Sequence, residues 1–98
     1  PEKLGLHTHL MVQVKLRSPT ADHVAAFKQA IAQLPEVVRC YQLVGEVDFL
    51  IEIFVSDLVA YQKLVMNKLS AMESIQYVTP LIVTDIAKEA GLPVASTQ

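Results

Sequence analysis

Residues 37–55 read VVRCYQLVGEVDFLIEIFV. Two β-rich runs flank a short polar break at Gly45-Glu46. In the first, Val37 to Val44, the side chains of Val37, Arg39, Tyr41 and Leu43 oppose those of Val38, Cys40, Gln42 and Val44. In the second, Val47 to Val55, Phe49, Ile51, Ile53 and Val55 share one face, while Leu50, Glu52 and Phe54 share the other. Two alternating runs about one short turn predict an antiparallel hairpin, and glycine at the turn suits a positive φ.

Upstream, Thr8 to Leu16 alternates, with Leu10, Val12, Val14 and Leu16 on one side and Met11, Gln13 and Lys15 on the other. This predicts a strand with one buried face. Ser18-Pro19-Thr20 then supplies cap residues and a first-turn proline, and Val24, Phe27, Ile31 and Leu34 recur at helical spacing. A first helix is expected from Thr20 to Leu34, stopped by Pro35. Downstream of the hairpin, Ser56 and Asp57 open a second helix with Leu58, Tyr61, Val65, Leu69 and Met72 on one stripe. Ile75 to Ile86 reads as a last strand. Pro80 within it cannot donate to a ladder, so that position must be an edge, a bulge or a bend.

The order βαββαβ predicts an α+β domain of ferredoxin-like type, a four-stranded antiparallel sheet with both helices on one face. At 98 residues the chain has room for one domain, spanning 1–98, with a linker-like segment at 1–7 and a tail at 87–98. With 52% apolar and 18% charged residues it can bury a core, which excludes disorder. Two helices cover one side of the sheet, yet Met11, Cys40, Val44, Leu50 and Phe54 or their opposite-parity neighbours leave the other side apolar. Such a face predicts a homodimer packed sheet to sheet. The apolar cluster Leu92-Pro93-Val94 in the tail is expected to touch a partner subunit.

Eight Lys and Arg against ten Asp and Glu give a formal charge of -2, without the basic excess that phosphate backbones demand. No apolar run reaches the roughly 18 residues of a membrane span, and the residues PEKLGLHTHL do not read as a secretory signal. A cytoplasmic protein is expected, and the single cysteine, Cys40, reads as buried packing. Pro1 in the place of an initiator Met fits either Met removal or a piece of a longer chain.

Chemistry is sparse. His7 and His9 share a strand face but no third metal ligand is evident, so no metal site is expected. The three glycines, Gly5, Gly45 and Gly91, stand alone and build no phosphate cradle, and no nucleophile turn is present. Gly45-Glu46-Val47-Asp48 is the one polar constellation with weight: two carboxylates in a tight turn between very apolar strands. Its bland reading is a solvated hairpin tip. Its functional reading is a rim that captures the charged ends of an amino acid, with Asp48 receiving the ammonium and backbone N–H groups near Gly45 the carboxylate.

Pro1-x-x-Leu4-Gly5, Cys40-x-x-Leu43-Val44-Gly45-x-x-Asp48 and Val55-x-Asp57-Leu58-x-x-Tyr61 resemble, in order and spacing, the C-terminal effector domain of the Lrp/AsnC (leucine-responsive and asparagine-responsive) transcription regulators. Ile82-Val83, Lys88 and Leu92-Pro93-Val94 resemble that family's last strand and tail. The resemblance implies a non-catalytic sensing domain without a cofactor. It implies dimerisation through the sheets, assembly into tetramers or octamers, and binding of an amino acid between dimers. It implies ligand contacts at Gly45, Glu46, Val47 and Asp48 and along the last strand at Val78, Thr79, Pro80 and Leu81. Many relatives place small hydroxyl residues where Val78 and Pro80 stand, so an apolar effector such as leucine or methionine is expected over asparagine or lysine. DNA would be reached through a helix-turn-helix domain that this chain does not contain. Two alternatives share the scaffold: a small monooxygenase-type enzyme of the dimeric α+β barrel kind, and an ACT-like regulatory domain with its ligand near Arg17-Ser18-Pro19.

From the charge alone, the 98-residue chain should leave duplex DNA unretarded in a mobility-shift assay at moderate salt. Sequence-specific retardation by this chain would refute that reading.

Overall fold

In the computed structural model, which describes residues 7–93, β1 (Thr8–Leu16), α1 (Ala21–Ile31), β2 (Val37–Gln42), β3 (Phe49–Val55), α2 (Leu58–Leu64) and β4 (Ile75–Ile82) follow in order. A π-helical turn, Val65–Leu69, continues α2. The strands form one sheet in the order β2-β3-β1-β4 with every pairing antiparallel. This is the expected ferredoxin-like arrangement. Pro1, Leu4, Gly5 and Val94, which carry part of the family resemblance, lie outside the described residues.

The alternation read from the sequence becomes the core. Leu10, Val12, Val14 and Leu16 of β1 are fully buried, as are Phe49, Ile51 and Ile53 of β3, because Val12 pairs with Ile51 and Leu10 with Ile53 on the same face. Phe27 and Ile31 of α1, Leu34 just beyond it, and Tyr61, Leu64 and Leu69 of the second helix close over them. Phe27 meets Phe49 with ring centroids 4.4 Å apart and planes tilted by 30°, a geometry in which aromatic pairs attract beyond simple area burial.

Each helix begins where a side-chain oxygen takes an unpaired N–H. Thr20 accepts from His23 N–H at 3.2 Å and Asp57 from Ala60 N–H at 2.8 Å. The helix ends are shorter than the stripes suggest. After Ile31 the chain tightens, with Gln33 N–H bonding Ala30 O and Leu34 N–H bonding Ile31 O, and Pro35 follows. The second helix widens instead: Ser70 N–H reaches back five residues to Val65 O at 2.7 Å. This brings Leu69 inward, where it is buried, and leaves Met72 only half-buried in the turn that follows.

The strands are also shorter than expected. β2 stops at Gln42 and β3 starts at Phe49, because residues 43–48 form the hairpin loop, closed by Leu43 N–H to Asp48 O at 2.9 Å. β4 stops at Ile82 rather than Ile86. Antiparallel register has by then reached the start of β1, and the last rung is Val83 N–H to His9 O at 2.9 Å. Pro80 sits on β4, an edge strand, where a missing donor is tolerated. Residues 88–93 of the expected tail have no regular structure, and Leu92 is 95% exposed.

Two expectations need correction. Cys40 is not buried packing: it is exposed on edge strand β2. It also does not belong to the outer sheet face, because it pairs with Ile51 and with Gln42 and Phe49 lines a cleft beside Lys28 and Ile31 of α1. Partial desolvation there pushes its thiol pKa up. The outer face of β2 is carried by Arg39 and Tyr41, opposite Glu52 and Leu50. Val44, grouped with that face by parity, instead stands fully exposed at the loop.

Tyr61 is 6% exposed, and no described residue gives its hydroxyl a hydrogen bond. Burial accordingly raises its pKa. Because an unpaired buried hydroxyl costs about 1–3 kcal/mol, Tyr61→Phe should raise stability by about 1 kcal/mol in urea unfolding. Phe27→Ala, which empties the centre of the core, should lower it by about 3–5 kcal/mol. A loss of stability in Tyr61→Phe would show that the hydroxyl is paired.

Candidate functional site

The hairpin loop holds its two acids in different ways. Asp48 turns onto β1: its Oδ2 accepts Leu16 N–H at 2.8 Å, and Lys15 Nζ stands 3.7 Å away. Its own N–H donates to Val14 O at 2.9 Å. The carboxylate thus finishes the end of the central strand, where β1 has run past the start of β3. Oδ1 keeps no described protein partner. Glu46 and Gly45, at the tip, are exposed. The φ of Gly45 lies outside the left-handed region, and beyond its chain neighbours no atom lies within 4 Å of where a Cβ would sit. The positive φ expected at the turn is therefore absent, and what glycine gives here is open space around the backbone.

The four residues expected on β4 divide between two faces, as a strand requires. Val78 pairs with Val14 and Pro80 with Val12, so both face the helices; Thr79 pairs with Gln13 and Leu81 with Met11, so both face outward. Val78 and Asp48 lie at the same end of the sheet, but β1 runs between their strands. That separation is roughly 9–10 Å, two strand spacings. Within one protomer the hairpin tip and the β4 residues therefore do not form a single pocket.

What β4 does line is a pair of adjoining clefts against the second helix. One, of about 480 Å³, lies between Tyr61, Gln62, Val65 and Met66 and the strand residues Val78 and Pro80. The other, of about 590 Å³, shares Val65 and Val78 and extends over Leu69 and Ile75 to Arg17, Ser70 and Glu73. The shared wall is aliphatic and the far end is polar. The π-helical turn borders both clefts, and such turns are frequent at functional sites. Ser70 is held there by its Oγ donating to Met66 O at 2.7 Å.

The sequence does not single out Arg17, Val65, Leu69, Ser70 and Glu73, which line the larger cleft. Val65 and Leu69 looked like ordinary core positions, and Arg17 and Glu73 lie 56 positions apart. Only the crossover that sets β4 beside β1 brings them together. The signal available was Arg17-Ser18-Pro19, which had drawn notice only under the alternative ACT-like reading.

The outer sheet face carries a polar network among apolar neighbours. His9 Nε2 lies 2.7 Å from Glu52 Oε2, and its ring stacks on Phe54 at 4.2 Å. Arg39 Nε lies 3.8 Å from Glu52 Oε1, and its Nη1 donates to the Tyr41 hydroxyl at 3.0 Å. That hydrogen bond and, less, the Glu52 charge raise the Arg39 pKa. His23 serves α1 instead, its Nδ1 lying 2.6 Å from Ser18 O. Among the described residues no three His, Cys, Asp or Glu side chains converge as metal ligands, and no helix is long and apolar enough to cross a membrane.

Comparison with known proteins agrees with this geometry. The family model "Lrp/AsnC ligand binding domain" matches residues 9–93. The "Bkd operon transcriptional regulator" of Pseudomonas aeruginosa is 32% identical over 74 residues, covering 76% of this chain and 48% of that protein. The "Proline dehydrogenase transcriptional activator" of Rhizobium radiobacter is 27% identical over 92 residues, covering 94% and 59%. This chain thus spans about half to three-fifths of the length of these curated relatives. Among solved structures, a transcriptional regulator of Neisseria meningitidis in complex with L-Met superposes with a TM-score of 0.87 at 27% identity, covering 98% of this chain and 62% of that one. The match runs from the first strand through the clefts of β4 to the tail, and the chain belongs to the Lrp/AsnC family as a ligand-binding domain.

Proposed function

We propose that this domain senses a free apolar amino acid on behalf of a cytoplasmic transcriptional regulator, without catalysis, and that it works as a homo-oligomer. The observation that carries the reading is the cleft pair along β4. It has an aliphatic wall of Val65, Val78 and Pro80 and a polar end, which suits a molecule with one apolar and one charged part. Val78 and Pro80 present no hydroxyl to that wall, which favours leucine or methionine over asparagine or lysine. The Neisseria relative was crystallised with L-Met, which fits the same preference.

Two surfaces support assembly. The outer face exposes Tyr41, Tyr77 and Leu81 at 40–46% and half-exposes Met11, Leu50 and Phe54. A second copy packed sheet to sheet would cover them. The hairpin tip, with Val44 fully exposed and open space at Gly45, lines neither β4 cleft of its own protomer. In a tetramer or octamer the Gly45 to Asp48 loop of one copy would close the β4 cleft of another, so the ligand would lie between dimers. Glu46 or the free oxygen of Asp48 could then receive the ligand's ammonium. DNA contact would belong to a separate helix-turn-helix domain.

Light scattering should give at least a dimer at micromolar concentration; a mass near 10.8 kDa would refute assembly through the sheet. Calorimetry of the oligomer should show L-leucine or L-methionine binding more tightly than L-asparagine or L-lysine. If no amino acid binds a confirmed oligomer, the domain is an assembly module rather than a sensor.

A further inference from the structure

We infer that Arg17 is the residue that takes the carboxylate of the bound amino acid, at the polar end of the larger β4 cleft; this rests on the amino-acid-sensing reading above. Arg17 follows directly on β1, in the turn before α1, and the loop between the second helix and β4 holds it in place. Its backbone N–H donates to Ser74 O at 2.8 Å, and its Nε donates to Glu73 O at 3.0 Å. The Nε bond fixes the plane of the guanidinium while leaving both Nη groups without a described protein acceptor. Two parallel N–H donors of a guanidinium grip a carboxylate bidentately, and with Nε taken by Glu73 O the end-on Nη1 and Nη2 pair remains open to do so.

The surroundings leave that charge uncancelled. Among the described residues the ion pairs join His9 to Glu52, Lys15 to Asp48 and Arg39 to Glu52. None involves Arg17. Glu73, which shares the cleft, contributes its carbonyl to Arg17, and its carboxylate makes no ion pair within 4.0 Å. An exposed guanidinium without an ion-pair partner among the described residues therefore lines, with Val65, Leu69 and Val78, a cavity of about 590 Å³. A ligand with its carboxylate on Arg17 would lay its side chain along that aliphatic wall. The arrangement gives the site its polarity: charge toward the β1–α1 turn, apolar group toward Pro80.

The test uses the 98-residue chain, with L-leucine and L-methionine as probes beside L-leucinamide, which has the same side chain and ammonium but no carboxylate. Arg17→Gln should weaken both amino acids about tenfold or more, since a charge-assisted pair is lost, and should leave L-leucinamide unchanged. Arg17→Lys should recover part of the loss, because a point charge replaces the fork. The backbone bond to Ser74 survives both substitutions, so the fold should be kept, checked by circular dichroism and light scattering. If Arg17→Gln binds the amino acids as the wild type does, or loses the amide equally, Arg17 is no carboxylate anchor while amino-acid sensing stands. If the wild type binds neither probe amino acid, the sensing reading itself falls and the anchor with it.

Discussion

The fold depends on one strand being able to pair on both edges while burying one face. β1 lies between β3 and β4, so its backbone is hydrogen-bonded on both sides, and Leu10, Val12, Val14 and Leu16 all point under the helices. A slip of one residue would send Met11, Gln13 and Lys15 into the core instead, leaving an amide and an ammonium without partners. Register is therefore fixed by chemistry along β1, and the flanking strands inherit it. The same parity that places Val12 inside places Pro80 and Val78 on the cleft wall and Thr79 and Leu81 on the outer face.

This is why most of the fold was legible in the sequence. The bounds of β1 follow directly from its alternation, and both helix starts from Thr20 and Asp57. What the alternation could not supply was where pairing stops. Leu43 and Val44 continue the pattern of the second strand, but Asp48 closes the loop early by bonding β1. Val83 to Ile86 continue the last strand on paper, but the partner strand has reached its beginning. Cys40 misled for a related reason: an apolar run on an edge strand looks like one in the centre, and only strand order separates them.

The β4 clefts were legible in part. Val78 and Pro80 were chosen through family resemblance and do line the β4 clefts. Thr79 and Leu81, in the same contiguous stretch, face the other side of the sheet, because a strand presents alternate residues to each face. The helix side of the cleft was hidden because Val65 and Leu69 obey the helical stripe equally well whether they face a core or a cavity. The π-helical turn that separates those outcomes depends on a five-residue hydrogen bond with no local sequence mark. Arg17 was hidden by distance, since its contact with Glu73 exists only once β1 and β4 are neighbours.

The two acids of the hairpin carry different loads, and the difference constrains how the loop can be used. Asp48 satisfies the N–H of Leu16, the last residue of the central strand, so its carboxylate holds the loop against β1. The neutral amide oxygen of asparagine could still accept that bond, whereas alanine would leave a strand-end N–H unpaired and loosen a loop then held only by its backbone bonds. Loss of ligand affinity on removing Asp48 would thus follow from loop displacement even if no ligand atom touched it. Glu46 has no such anchoring role: it stands exposed beside Gly45, where nothing crowds the backbone. If the loop contacts a ligand in the proposed assembly, its tip is the part left to do so, on a base that Asp48 bonds to β1. That division lets the tip vary with the ligand while the strand register, and with it the β4 cleft, stays fixed.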